Sequence, residues 1–226
     1  LFVIYWAIQF KKKAFYSLLI IISGWAILRG FVQINFGEKI NGSQKIIKVM
    51  SYNVKVFDLY NWSHNIQTRN LMFGLINNEN PNIACFQEYF NRDSSVFSNT
   101  DSLIKINHWK YHHIYYTTTV KRVHHWGIAT FSVYPIVNEG LVNFGYKGNN
   151  VCIFSDIKIG KDTVRVYNMH LQSIGFSKDD YKYVEDLQKN VETNEDIEHS
   201  KNILVRLKLA FIKRAAQTDP VKKSMN

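Results

Sequence analysis

Apolar positions along this chain follow three spacings: unbroken runs, helix-like recurrence and strict alternation. The unbroken runs come first. Leu1 to Phe10 is apolar apart from Gln9, Lys11 to Lys13 follow, and Ala14 to Leu28 holds 15 residues without a charge. Phe31 to Phe36 continues in apolar style past Arg29. Fifteen helical residues reach about 22 Å, and a hydrocarbon core is about 30 Å thick, so a span requires the lysines and Arg29 to reach the interfaces. Trp25 and Phe31 suit an interfacial belt. A secretory signal fits the basic-then-apolar order, but a second apolar run precedes it and no small-residue cleavage site follows. A buried core helix fits the length. One or two transmembrane helices fit both runs, and residues 1–36 are read that way. With Lys11 to Lys13 as the cytoplasmic turn, everything after Phe36 lies outside the cytoplasm, although Arg29, Lys39, Lys45 and Lys48 oppose that orientation.

Residues 37–44 (GEKINGSQ) read as a linker with the turn pair Asn41-Gly42. From Lys45 the pattern becomes α/β. Ile46 to Phe57 reads as a strand running into a loop, Ile66 to Ile76 recurs at helical spacing, and Asn82 to Tyr89 reads as a buried strand. Strand, helix and strand in that order predict a parallel pair. Tyr111 to Val120 and Trp126 to Ser132 are rich in strand formers. Val151 to Ile159 and Thr163 to His170 alternate, with Gly160-Lys161-Asp162 as a hairpin turn. Asp179 to Asn194 is charged and reads as a loop or exposed helix. Glu195 to Lys213 places Ile197, Ile203, Leu204, Leu207 and Phe211 on one helical face, and Pro220 is expected to end that helix.

Composition narrows the classes. The chain has 226 residues, is 46% hydrophobic and 15% aromatic with 3 prolines, and is globular rather than disordered. A net charge of +10 favours an anionic partner: a phosphate ester, nucleic acid or an anionic lipid surface. Cys85 and Cys152 both sit in strand-like apolar runs and read as buried thiols; their spacing suits neither zinc nor a disulfide framework. His108, His112, His113, His124 and His125 are read as exposed hairpin residues, because neighbouring residues on a strand face opposite ways and do not chelate one ion easily.

Four short stretches could carry chemistry: Ser51-Tyr52-Asn53-Val54, Phe86-Gln87-Glu88, Gly127 to Ser132 with Tyr134-Pro135-Ile136, and Val166 to Leu171. Asn53 and Glu88 each end an apolar strand. A carboxylate there can face a crevice, where α/β sheets place ligands, instead of being buried at high cost. A hard divalent cation takes oxygen ligands, and magnesium commonly uses one or two carboxylates plus substrate phosphate. Glu88 beside Asn53 is such a minimal set. His170, ending another strand, could contact phosphate or transfer a proton. Taken singly, each has a plain alternative: Asn53 a turn residue, Glu88 an arginine partner, His170 a structural histidine.

Taken in order, the stretches resemble the endonuclease/exonuclease/phosphatase superfamily, which includes DNase I-like nucleases, inositol polyphosphate phosphatases and neutral sphingomyelinases. The resemblance covers about Lys45 to Ala216. "MSYNV" resembles the family's first motif, which implies Asn53 as a metal- or phosphate-organising residue. "NIACFQEY" resembles the second, which implies Glu88 as the magnesium ligand. "GIATFSVYPI" is similar to its glycine-led strand, with Val133 where a basic residue is common. "VRVYNMHLQS" resembles its Asn-x-His-Leu motif, which implies His170 as a phosphate-contacting or proton-donating residue. The wording is nearest to membrane-anchored bacterial members.

The departures count too. The family continues into Gly-Asp-x-Asn and a closing Asp-His pair; neither occurs in this sequence. The expected fold is therefore α/β, the first half of a DNase I-like two-sheet sandwich (residues 45–226) behind transmembrane segments, in a chain that reads as a fragment. The resemblance implies a magnesium-dependent phosphoesterase, with manganese as the alternative metal, acting on a lipid, nucleotide or nucleic-acid phosphate ester. It is incomplete in this chain. No protein partner is implied. The competing expectation is a non-catalytic, membrane-tethered binding module or a decayed fragment.

Overall fold

The computed structural model describes residues 13–31, 46–145, 148–175 and 196–225, with Tyr5, Trp6, Ile8, Gln9 and Asp180 as isolated positions. Two compact units are present, Leu1–Ile46 and Ile47–Asn226. In the first, helix α1 (Lys13–Phe31) carries Lys13 and Arg29 within its 19 residues. Phe15, Tyr16, Ile20, Ile22 and Trp25 are exposed on it. Among the described residues no helix is long and apolar enough to cross a membrane. The described part of residues 1–36 thus supplies no spanning helix for the transmembrane reading: two basic residues inside α1 shorten its uncharged stretch to 15 residues, and residues 1–4, 7, 10–12 and 32–36 lie outside the described residues. Residues 37–44 lie outside the described residues.

The second unit is mixed α/β with two sheets. The larger has the order β1-β2-β4-β3 and the smaller β5-β6-β7. The strands are β1 (Val49–Asn53), β2 (Ile83–Arg92), β3 (Tyr111–Val120), β4 (His124–Ser132), β5 (Ile136–Val142), β6 (Val151–Ile159) and β7 (Asp162–His170). Helices α2 (Thr68–Glu79) and α3 (Asn99–Asn107) flank β2 in sequence, and α4 (Asp196–Met225) closes the chain. The pair β1–β2 is parallel, as the strand–helix–strand order predicts, and every other pairing is antiparallel.

One core lies on the helical side of the larger sheet. Val54, Phe57, Phe73, Ile76, Phe86, Tyr89, Leu103, Trp109 and Phe131 pack there. The apolar run after Asn53 supplies two of these, so it does not extend β1 to Phe57 as expected. Instead the backbone turns with positive φ from Lys55 to Asp58 and drives Val54 and Phe57 into the core. Asn80, left-handed at φ 41°, donates its N–H to the Ile76 carbonyl and ends α2, and Pro81 follows. Between the sheets, Ile83 packs with Ile157 and Ile159, and Ile128 with Val151 and Ile153. Glycine is required at Gly127, where a Cβ would fall on the Tyr115 carbonyl.

The β6–β7 hairpin turns at Gly160, φ 64°. A two-pronged bond pins its register: Arg165 Nε and Nη2 reach Asp156 Oδ1 and Oδ2 at 2.7 and 2.8 Å. This charge pair holds the Asp156 carboxyl below the ordinary range, through the Arg165 hydrogen bond first.

Several expectations need correction. β5 and α3 are not among the elements expected from sequence; both are short, at 7 and 9 residues. The histidines are not uniformly exposed: His113 is buried, its Nδ1 3.1 Å from Ser155 Oγ, and His125 Nε2 lies 3.2 Å from Asp93. Helix α4 does not stop before Pro220 but runs to Met225. Buried Val221 and the hydrogen bond from the Tyr167 hydroxyl to the Ser224 carbonyl, 2.7 Å, hold the turn that proline weakens. Leu204 and Phe211, expected on the inner face, are exposed. Of the charged stretch 179–194, all but Asp180 lies outside the described residues.

Candidate active site

Alternation along β1 puts Val49, Ser51 and Asn53 on one face, and all three line a cavity of about 550 Å³. Cys85, Gln87 and Glu88 from β2, residues Val166 to His170 of β7 and Arg214 of α4 complete much of the wall. Strict alternation on β2 could not supply both Gln87 and Glu88. Phe86 pairs with Ala129 and Tyr89 with Gly127, so Gln87 and Glu88 together oppose Ile128. This β-bulge, with Glu88 at φ 49°, lets Phe86 and Tyr89 both enter the core while both polar residues face the cavity.

The three residues singled out in the sequence converge. Asn53 Nδ2 donates to Glu88 Oε1 at 2.9 Å, and Asn53 Oδ1 accepts the Lys55 N–H at 3.0 Å. The orientation of the amide follows, because a backbone N–H can only donate and a carboxylate can only accept. His170 Nε2 stands 3.5 Å from the same Glu88 oxygen. That is ion-pair range for a protonated imidazole, but long for a hydrogen bond. The side chains of His170 and Glu88 are 24% and 35% exposed, so solvent and a ligand can reach both.

Behind them lies an amide pair, Asn168 buried and Gln87 half-buried, that sequence reading did not assign. Gln87 Nε2 donates to Asn168 Oδ1 at 2.7 Å and approaches Ser51 Oγ at 3.3 Å. Asn168, 1% exposed, donates through Nδ2 to the Ala129 carbonyl at 2.9 Å. Asn168 therefore ties β7 to both β2 and β4. The signal was an asparagine at an inward position of an alternating strand, two residues before His170. Burial pushes the Cys85 thiol up to about 11, so it is an inert wall rather than a nucleophile.

The donor set suits a hard divalent cation. Glu88 Oε1 is shared by Asn53 and His170, which leaves Oε2 to bind; Asn53 Oδ1 keeps one lone pair. Among the described residues no three His, Cys, Asp or Glu side chains cluster as a metal site. Any ion here would rest on Glu88 with Asn53 beside it, plus water or phosphate oxygens.

No family model matches the chain, and no curated protein matches it. Solved structures do. An endonuclease/exonuclease/phosphatase from Beutenbergia cavernae is 13% identical over 65% of this chain and 44% of that one, with a TM-score of 0.46. An endonuclease/exonuclease/phosphatase family protein from Leptotrichia buccalis is 13% identical over 71% and 74%, TM-score 0.43. The catalytic domain of human Nocturnin with a bound sulfate anion is 16% identical over 67% and 61%, TM-score 0.42. This chain thus spans less than half the length of the Beutenbergia protein. Identities this low leave function to be argued from the residues of the cavity.

Proposed function

We propose that the second unit belongs to a metal-dependent phosphoesterase of the endonuclease/exonuclease/phosphatase type, which hydrolyses a phosphodiester or phosphomonoester. The convergence of Asn53, Glu88 and His170 on one cavity carries this reading. A magnesium or manganese ion held by Glu88 and Asn53 would supply charge neutralisation at the phosphoryl oxygens. The chain's own residues do the rest. Asn53 fixes the carboxylate of Glu88 through its amide. His170 offers Nε2 to the phosphate or moves a proton at that atom, which in comparable roles contributes about 10²–10⁴ in rate. The Gln87–Asn168 pair keeps β2 and β7 at one separation, so that Glu88 and His170 stay within reach of each other.

The test is hydrolysis of bis-p-nitrophenyl phosphate by the whole chain with Mg²⁺ or Mn²⁺. Glu88→Gln should abolish metal-dependent turnover, and His170→Ala should lower it by about a hundredfold or more. Turnover retained in both variants refutes the reading. A second reading is a phosphate-binding module without turnover. It is favoured because the cavity presents a single carboxylate, Glu88, among the described residues. Phosphate binding with no hydrolysis at any metal concentration selects it.

We also infer that the first unit holds the chain at a membrane. The apolar side chains exposed around α1 and the basic residues at its two ends support this.

A further inference from the structure

We propose that Arg214 of α4 is the anion-binding residue of the cavity, the group that holds the phosphate of the substrate. The proposal rests on the cavity being the phosphate site argued above.

Helix α4 buries a narrow stripe at alternating three- and four-residue steps: Ile203, Leu207, Ala210, Arg214, Gln217 and Val221 are buried or half-buried, while positions 211–213, 215 and 216 are exposed. That spacing is the inward seam of a helix, where apolar residues belong. An arginine there forgoes solvent on one side, which requires compensation. Its Nε has it, donating to the Gln172 carbonyl at 2.6 Å. Gln217, 1% exposed, takes the N–H of the same Gln172 at 2.9 Å through Oε1. Gln172, two residues beyond His170, is thus held by α4 through both its N–H and its carbonyl.

This grip spends only one of the five N–H donors of the guanidinium. Arg214 is also the one Lys or Arg among the described residues lining the cavity. A phosphate ester entering it meets the carboxylate of Glu88, and besides any metal ion that carboxylate would hold, Arg214 is the positive charge the chain itself supplies there. An arginine tethered at Nε presents its terminal nitrogens as a fork matched to two phosphate oxygens.

The experiment titrates inorganic phosphate into the whole chain by calorimetry, without metal and then with Mg²⁺, for wild type, Arg214→Gln, Arg214→Lys and Lys213→Gln. Lys213→Gln removes the same charge from the exposed face of α4. Expected are saturable phosphate binding by wild type, a loss of about tenfold or more in Arg214→Gln, partial recovery in Arg214→Lys and no change in Lys213→Gln. Far-ultraviolet circular dichroism checks that each variant is folded. Equal losses in Arg214→Gln and Lys213→Gln, unchanged affinity in Arg214→Gln, or no phosphate binding by wild type overturns the inference. The two proposals fail separately. Arg214-dependent binding without hydrolysis upholds this one and refutes the enzyme reading. Hydrolysis with KM and phosphate affinity unmoved in Arg214→Gln does the reverse.

Discussion

Replacing Asn168 by alanine should cost about 3–5 kcal/mol of folding stability. The side chain is 1% exposed and makes two short hydrogen bonds: one accepted from Gln87 at 2.7 Å, one donated to the Ala129 carbonyl at 2.9 Å. A longer one reaches Thr130 Oγ1 at 3.3 Å. At about 1 kcal/mol net per good bond, the two short ones account for about 2, and leaving a buried polar group poorly paired adds about 1–3 more. Gln87 retains Ser51 Oγ and the Cys85 carbonyl, both at 3.3 Å, which keeps the total below the upper limit. Against a whole-domain stability of about 5–15 kcal/mol this is a large share. Asn168→Asp is the sharper variant. It still accepts from Gln87, but an oxygen replaces the donor facing the Ala129 carbonyl. At neutral pH it should be less stable than Asn168→Ala. Burial raises its carboxyl pKa in the folded state, so stability is present at low pH, where the acid can donate, and is lost as pH rises. The assay is urea unfolding of the whole chain, comparing midpoints at constant slope. Alanine within about 0.5 kcal/mol of wild type, or aspartate above alanine at neutral pH, would refute the assignment of Asn168 as the tie between the sheets.

Two further outcomes follow from the same reasoning. Burial pushes the pKa of His113 down, with Glu139 and the Phe154 backbone acting in the opposite sense. The unfolded chain then binds the extra proton, so stability should fall as pH drops below about 6.5. His113→Gln should flatten that slope in urea midpoints measured between pH 7 and 5, and an unchanged slope would clear His113. For the first unit, the whole chain should float with lipid vesicles in a sucrose gradient and stay bound in high salt. A variant with Ile20, Ile21 and Ile22 changed to serine should remain in the soluble fraction, and equal flotation of both would remove the membrane role of α1.

The sequence alone determined the local elements with strong periodicity. It set the parallel β1–β2 unit, the strands β3 and β4, the β6–β7 hairpin with its glycine turn, and the strand-end positions of Asn53 and His170; Glu88, expected to end its strand, lies inside β2 at the bulge. These depend on interactions between near neighbours, which spacing and turn chemistry express directly. Tertiary structure decided the rest. The bulge at Gln87–Glu88 is invisible to a period-two reading, because it exists only opposite Ile128 on another strand. Val54 and Phe57 look like strand residues until the core claims them. The inward face of α4 was misjudged, because apolar content pointed to Leu204 and Phe211 while packing selected Ala210, Gln217 and Val221. Arg214 was missed for the same reason. A charged residue on a helix reads as solvated, and only the fold shows that its position lies on the seam that faces the cavity.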